Sequence, residues 1–287
     1  MSAAGQHREH RFGVVDGLTL YYREYGDGDT ATPVLCLPGL TRNSRDFEQL
    51  APALATGRRV LAADLRGRGR SDYDPDWRRY QPSTYAGDTL ALLDHAGIGR
   101  AVLIGTSLGG LVSMMLAAHH RECVAGVVLN DIGPEIDPAG LSRIRNYTGR
   151  LPPVAGWEEA AAQTRLIYGD AWPGLSDEDW QRLARRGYRD LGRGVPELDM
   201  DPAIGRAIRE APLELGDPWA LFAALRDVPT VLLRGARSDI LAAATAEKMQ
   251  AVKPDLTVVE VPNRGHVPLL DEEQSLAAIR ELVERAG

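Results

Sequence analysis

One short segment, residues 102–110, constrains the fold of this chain more than any other. Its sequence VLIGTSLGG starts as an apolar, β-branched run and reaches Ser107 between two glycines. Beyond the serine, apolar residues recur at helical spacing through residue 116. The pattern predicts a buried strand, a sharp turn and a helix, with Ser107 at the carboxyl end of the strand. The first N–H groups of that helix would face a developing negative charge, which is what a nucleophilic serine needs.

Strand-like and helix-like runs alternate along much of the chain. An antiparallel hairpin is predicted around Asp16-Gly17, and buried strands are predicted at residues 33–37, 60–63, 102–106, 124–129, 229–233 and 256–261. Helices of about ten residues lie between many of them, which indicates an α/β fold with a mostly parallel, twisted sheet and helices on both faces. In such sheets ligands bind beyond the carboxyl ends of the strands, where Ser107 is expected.

The alternation stops between about residues 134 and 216. This segment has no convincing strand and instead offers helical stretches at residues 141–147, 158–168 and 177–188. We predict a helical cap at 134–216, inserted into an α/β core formed by residues 1–133 and 217–287. Tyr147, Trp157 and Trp172 are predicted to roof a substrate pocket. For each of them, packing of the cap against the core is the alternative interpretation.

The composition narrows the partners that this chain is expected to have. A net charge of -7 argues against general nucleic-acid binding, and no apolar run approaches the roughly 20 residues needed to cross a membrane. The amino terminus lacks the apolar stretch of a signal peptide, so we expect a cytoplasmic protein. No phosphate-binding glycine loop and no His/Cys cluster is recognisable, and we therefore predict neither a cofactor nor a metal. The sequence gives no indication of the oligomeric state.

A serine hydroxyl needs a base to take its proton, and His266 is the histidine best placed to act as that base. It follows the last predicted strand in a glycine-bearing loop, whereas the other five histidines lie near helix ends or in the polar terminus. A carboxylate must then orient the imidazole. We predict Asp239, after the penultimate strand, for this role. The rival is Asp131, after the strand at 124–129, which otherwise lines the pocket or braces the entry to the cap.

The order Ser107, Asp239, His266 along the chain is that of hydrolases with a nucleophile elbow. Acyl transfer to the serine passes through a tetrahedral intermediate, whose oxyanion needs two backbone donors. We predict that the N–H groups of Leu108 and Leu40 supply them.

These segments together resemble the α/β-hydrolase fold family, in particular its serine esterases with a helical cap. The matching pieces are LPGL at 37–40, DLRGRGRS at 64–71, GTSLGG at 105–110, the Asp239 loop and RGH at 264–266. The resemblance covers essentially the whole chain and implies an eight-stranded sheet with the cap inserted after the sixth strand. Haloalkane dehalogenases and epoxide hydrolases of this fold carry aspartate at the elbow, and Ser107 argues against both activities.

The resulting hypothesis is a cofactor-independent serine hydrolase that cleaves a small-molecule ester or lactone through an acyl-Ser107 intermediate. Hydrolysis of a carbon–carbon bond in a ring-cleavage product, and perhydrolysis, are open alternatives because the same residues support them. A hypothesis of another class is a receptor-like protein that binds its ligand with residual turnover. The complete serine, histidine and aspartate set argues against that reading.

Overall fold

The computed structural model describes residues 6–286, except for residues 191, 193 and 212–215. Its strands are β1 (Arg8–Gly13), β2 (Thr19–Asp29), β3 (Val34–Leu37), β4 (Arg58–Asp64), β5 (Ala101–Thr106), β6 (Val124–Asn130), β7 (Tyr188–Asp190), β8 (Pro196–Leu198), β9 (Thr230–Gly235) and β10 (Thr257–Val261). Its α-helices are α1 (Leu50–Leu54), α2 (Pro82–His95), α3 (Leu108–His119), α4 (Pro138–Tyr147), α5 (Trp157–Tyr168), α6 (Asp177–Gly187), α7 (Ala203–Glu210), α8 (Pro218–Ala223), α9 (Ala243–Val252) and α10 (Glu273–Arg285). None of the helices in the described ranges is both long enough and apolar enough to span a bilayer.

Eight of the strands form one sheet in the order β1-β2-β4-β3-β5-β6-β9-β10. The predicted hairpin places β1 at the edge, antiparallel to β2, and β2 also runs antiparallel to β4. The remaining neighbours are parallel. The prediction of a mostly parallel, eight-stranded α/β sheet is therefore confirmed. Since β5 and β6 are neighbours and β6 lies beside β9, the loops after these three strands meet at one edge.

Helices cover both faces of the sheet because successive strand residues point to opposite sides. Along β3, Leu35 and Leu37 belong to the apolar core on one face, whereas Val34 and Cys36 belong to the core on the other. The first face is covered by α2, α3, α8 and α9, and the second by α1 and α10. Continuous burial of β3, β5 and β6 follows, which explains their unbroken apolar sequences.

The segment between β6 and β9 includes α4 to α7, which lie in the range predicted as the cap. It has a small apolar core of its own, centred on Trp172, Trp180 and Leu183. The expectation that this segment has no strand is wrong at one place, because β7 and β8 form an antiparallel pair. Each of these strands has only three residues, too few for an alternating pattern to be recognised in the sequence.

Several contacts fasten this segment to the α/β core. The N–H of Gly69 donates to the Asp199 carbonyl at 3.0 Å, and the N–H of Asp201 donates to the Gly67 carbonyl at 2.7 Å. Arg45 forms an ion pair with the buried Asp199 carboxylate. The arginine- and glycine-rich loop at 64–72 thus binds residues 199–201 of the segment between β6 and β9, which is called the insertion below.

Candidate active site

Ser107 lies at the sharp turn between β5 and α3, as the sequence predicts. Its φ of +50° and ψ of -110° are a strained combination for a residue with a side chain. Glycines on both sides make the turn possible. A Cβ at Gly105 would lie 2.4 Å from the backbone of Gly109, and a Cβ at Gly109 would lie 2.2 Å from the carbonyl oxygen of Leu37 in β3. The close approach of helix and strands therefore requires glycine at both positions.

His266 lies against this serine, with its Nε2 atom 2.9 Å from Ser107 Oγ. The loop that carries it follows β10 and is held from two sides. From the insertion, Trp172 donates its indole N–H to the Val267 carbonyl at 2.6 Å, and the Ala171 carbonyl accepts the Gly265 N–H at 2.7 Å. From the core, the Asn130 side chain donates to the Pro268 carbonyl at 3.0 Å. The imidazole is therefore held within hydrogen-bonding distance of the serine.

The carboxylate next to His266 is that of Asp131, with Oδ2 lying 2.8 Å from His266 Nδ1. Asp131 follows β6 and is fully buried. Its Oδ1 atom accepts the Gly235 N–H at 2.8 Å, and its Oδ2 atom also accepts the Ser238 hydroxyl at 2.6 Å. Such donors compensate a buried carboxylate for its lost hydration. Asp131 thus lies behind the imidazole instead of lining the pocket.

The predicted contact between Asp239 and His266 is wrong. The Asp239 carboxylate pairs with Arg143 of α4, at 2.6 Å to Nε and 2.9 Å to Nη2, and its side chain is 40% exposed. Partial burial acts against ionisation, but the hydrogen bonds from Arg143 hold the pKa of Asp239 below its ordinary value. The loop after β9 turns so that Ser238, which precedes Asp239, faces Asp131. The Ser238 hydroxyl fixes that turn by accepting the N–H groups of Ile240 and Leu241.

The segment predicted to supply the second oxyanion donor runs beside the serine. A Cβ at Gly39 would lie 3.8 Å from Ser107 Cβ, and Leu40 contributes to the wall of the same cavity. Among the described residues, neither the Leu40 N–H nor the Leu108 N–H donates a hydrogen bond within the protein. Both donors are therefore available at the start of α3 and in the adjacent loop, and their role in binding an oxyanion stays a prediction.

A cavity of about 60 Å³ adjoins Ser107 and His266. Tyr147 and Trp172 line it, as predicted, together with Tyr168, whose ring stacks on Trp172 at 4.5 Å. The placement predicted for Trp157 is wrong. Trp157 begins α5 and Tyr168 ends it, so the two lie about 16 Å apart along the helix axis. Trp157 stacks on Arg185 outside this cavity, 4.6 Å from the guanidinium carbon to the ring centre.

Two arginines that the sequence analysis did not single out, Arg42 and Arg186, also line the cavity. Arg42 donates from Nε to Asp46 at 2.8 Å and from Nη2 at 2.5 Å. Although burial acts to lower it, the Asp46 carboxylate raises the pKa of Arg42 above its ordinary value. Arg186 donates from Nε to Glu48 at 2.8 Å. The only sequence signal for Arg42 was its position two residues after Leu40. Arg186 belongs to α6 and gave none among many charged neighbours.

Within the ranges that the structure describes, no group of three or more histidine, cysteine, aspartate and glutamate side chains is arranged to hold a metal ion. The groups at hand for chemistry are thus a serine hydroxyl, an imidazole, a buried carboxylate and backbone N–H groups. Together they can transfer a proton from the hydroxyl to the imidazole while the oxygen attacks an electrophilic carbon.

Known proteins resemble this chain in sequence and in fold. A family model described as alpha/beta hydrolase fold matches residues 32–273. A 3-hydroxybutyrate-oligomer hydrolase from Cupriavidus necator is 31% identical, over 96% of this chain and 93% of its own. A 2-(acetamidomethylene)succinate hydrolase from Mesorhizobium japonicum is 30% identical, over 93% and 92%. A solved alpha/beta hydrolase from Novosphingobium aromaticivorans is 45% identical, covers 98% of this chain and 99% of its own, and superposes with a TM-score of 0.92.

Proposed function

Because the chain belongs to the α/β-hydrolase fold family, we propose that it is a serine hydrolase that cleaves a small carboxylic ester or lactone. The observation that carries the proposal is the hydrogen-bonded series from Ser107 Oγ through His266 to Asp131. The relatives named above are hydrolases, and the one from Cupriavidus necator acts on oligomers of a small hydroxy acid.

In the proposed reaction, Ser107 Oγ attacks the carbonyl carbon while His266 Nε2 takes the hydroxyl proton. Asp131 accepts the hydrogen bond from His266 Nδ1–H and stabilises the imidazolium that forms. The tetrahedral intermediate collapses when the bond to the leaving oxygen breaks and His266 returns the proton to that oxygen. A water molecule, deprotonated in turn by His266, then attacks the acyl carbon, the bond from that carbon to Ser107 Oγ breaks, and His266 returns the proton to Oγ as the acid leaves.

The N–H groups of Leu40 and Leu108 are the proposed donors to the oxyanion of this intermediate. Leu108 is the first residue of α3, so its N–H carries the partial positive charge of a helix start. Donors that are already in place when charge develops lower the barrier more than donors that must reorganise.

The cavity beside Ser107 favours a compact substrate. Its volume of about 60 Å³ and its apolar wall, which includes Ile144, Leu183 and Leu269, suit a short acyl group better than a polymer segment. Esters and lactones share the chemistry above, since in a lactone the leaving oxygen simply stays attached to the acyl group.

The experiment that tests this function combines covalent labelling with kinetics. The purified protein is treated with a fluorophosphonate, the adduct is located by mass spectrometry, and rates are measured on a panel of short aryl esters and lactones. We expect the label on Ser107 and a loss of about 10³-fold or more in kcat for Ser107→Ala. Ser142→Ala, which changes an exposed serine of α4, is the control and should keep the wild-type rate.

Labelling at another residue, or equal rates for Ser107→Ala and the wild type, would refute the proposal. A carbon–carbon bond substrate hydrolysed with a higher kcat/KM than every ester and lactone would keep the nucleophile but replace the proposed substrate class.

A further inference from the structure

We propose that the substrate carries a carboxylate group in addition to its scissile ester, and that Arg42 and Arg186 bind this carboxylate inside the cavity beside Ser107. This inference rests on the proposed function, because it names the class of ester that the same site takes.

Arg186 provides the first observation. Its side chain is only 4% exposed, and it lines the cavity. Nε donates to Glu48, but Nη2 is buried and has no hydrogen-bond partner in the described part of the chain. An unsatisfied N–H of a buried cation is costly, and an anionic acceptor that reached Nη2 would remove that cost.

Arg42 provides the second observation. Whereas Arg186 belongs to α6, Arg42 lies in the loop after β3 of the core. Its Nε and Nη2 atoms are taken by Asp46, whereas Nη1 makes no hydrogen bond among the described residues. The guanidinium carbon lies 5.9 Å from the ring centre of Tyr168, so this arginine is part of the roofed cavity. Arg42 and Arg186 therefore each retain a donor after their protein partners are counted.

The position of Arg42 relative to the nucleophile suits a short bifunctional molecule. A Cβ built on Gly39 would lie 3.8 Å from Arg42 Cγ and also 3.8 Å from Ser107 Cβ. Arg42 Cγ and Ser107 Cβ are therefore no more than twice that distance apart. The arginine side chain then extends further by two bonds to the guanidinium. A carboxylate a few bonds away from the scissile carbonyl would fit between them.

The chemistry of the site favours a carboxylate over a larger or more highly charged anion. A guanidinium matches the planar carboxylate group in size and geometry. Each arginine already has one carboxylate partner, so the pair offers free N–H donors with little surplus charge and suits a single negative charge better than two.

The test compares anionic esters with matched neutral ones. Monoethyl succinate, glutarate and adipate carry the carboxylate, and the corresponding ethyl ester amides replace it with a neutral carboxamide of nearly equal shape. Hydrolysis is followed by chromatography of the released acid. We expect wild-type kcat/KM to be at least about tenfold higher for the best half-ester than for its amide, since hydrogen bonds to a charged group are the stronger ones.

Arg42→Gln and Arg186→Gln should each lower this ratio several-fold, towards one, mainly through the KM of the half-esters. Because the ratio compares two substrates of the same variant, a general loss of activity does not change it, and the Tm of each variant shows whether it has kept its fold. Arg145→Gln, at an exposed position of α4, is the matched control and should not change the ratio.

A wild-type ratio of one or less, or a ratio that neither arginine variant changes, would overturn the inference while leaving ester hydrolysis intact. If no ester is turned over and Ser107 is not labelled, the proposed function fails separately. In that case calorimetric titration of Ser107→Ala with the half-esters and the amides still tests the carboxylate site, and equal affinities for both would reject it.

Discussion

Two aspartates follow neighbouring strands at the same edge of the sheet, and their surroundings differ sharply. Asp131 is fully buried and holds two protein donors besides His266, whereas Asp239 is partly exposed and paired with Arg143. A buried carboxylate with fixed partners can orient an imidazole and stabilise its charged form. A partly exposed ion pair that does not contact the imidazole contributes little to either task.

We therefore predict that Asp131→Asn lowers kcat by about 10³- to 10⁴-fold, because the amide cannot stabilise the imidazolium and favours the wrong tautomer of His266. Asp239→Asn should stay within about threefold of wild type, since it loses an ion pair that is largely screened by water. Steady-state kinetics on the best ester of the panel measures both. If Asp239→Asn had the larger effect, Asp239 and not Asp131 would be the carboxylate that orients His266.

The sequence indicates Ser107 and His266 because Ser107 directly follows the continuously apolar β5, and His266 lies in the loop that begins after β10. It cannot decide between Asp131 and Asp239, because both also follow strands. Their difference depends on the direction in which the loop after β9 turns, and that turn is fixed by hydrogen bonds to the Ser238 hydroxyl. Such side-chain directions depend on tertiary contacts that no local pattern records.

At the scale of elements, the position of Ser107 depends on the close crossing of α3 over β3 and β5. The crossing leaves no room for a side chain at Gly109, where a Cβ would strike the backbone of β3. Backbone cannot move aside as a flexible side chain can. The sharp turn at Ser107 thus depends on the packing of α3 against two strands as well as on its local backbone conformation.

We predict that Gly109→Ala lowers the free energy of unfolding by more than about 3 kcal/mol and the Tm by about 6 °C or more. Gly87→Ala is the matched control on a helix. Gly87 is exposed on α2 and a Cβ there would meet nothing within 4 Å, so this change should stabilise the protein by about 0.5–1 kcal/mol. Thermal and urea denaturation measure both variants. A Gly109→Ala protein as stable as wild type would show that the crossing can relax.

Elements with strong periodic patterns were predictable, and short or side-chain-defined ones were not. The buried strands of the sheet occur where the sequence indicates. The last helix begins at Glu273, after the Glu272 carboxylate has accepted the N–H groups of Leu269 and Leu270. The pair β7–β8 has only three residues in each strand and was not predicted.

For the whole molecule, the question is whether the α/β core and the insertion are separate folding units. The insertion has its own apolar cluster, which favours independence. Its returning chain, however, is bonded into the loop at 64–72, and Tyr80 donates to the Asp201 carboxylate at 2.5 Å. The polar side chains at this junction are largely buried, so separating the two parts would leave them without partners.

We accordingly predict a single cooperative unfolding transition. Three of the five tryptophans, Trp157, Trp172 and Trp180, lie in the insertion, so tryptophan fluorescence reports mainly on that part. Far-ultraviolet circular dichroism reports on the entire chain. The two thermal melting curves should coincide, and calorimetry should show one peak. Separate midpoints, or a stable proteolytic core that lacks residues 134–216, would contradict this prediction.

The hydrogen bonds that Ala171 and Trp172 make to the loop of His266 also set a rule for anyone who redesigns this molecule. Two hydrogen bonds join the roof of the pocket to the loop of His266, the proposed base, so the pocket cannot be widened by exchanging the insertion alone. A chimera would have to provide a carbonyl for Gly265 and an N–H donor for Val267 from its new roof. Without them, a change intended to broaden substrate range would instead displace His266, the proposed proton acceptor.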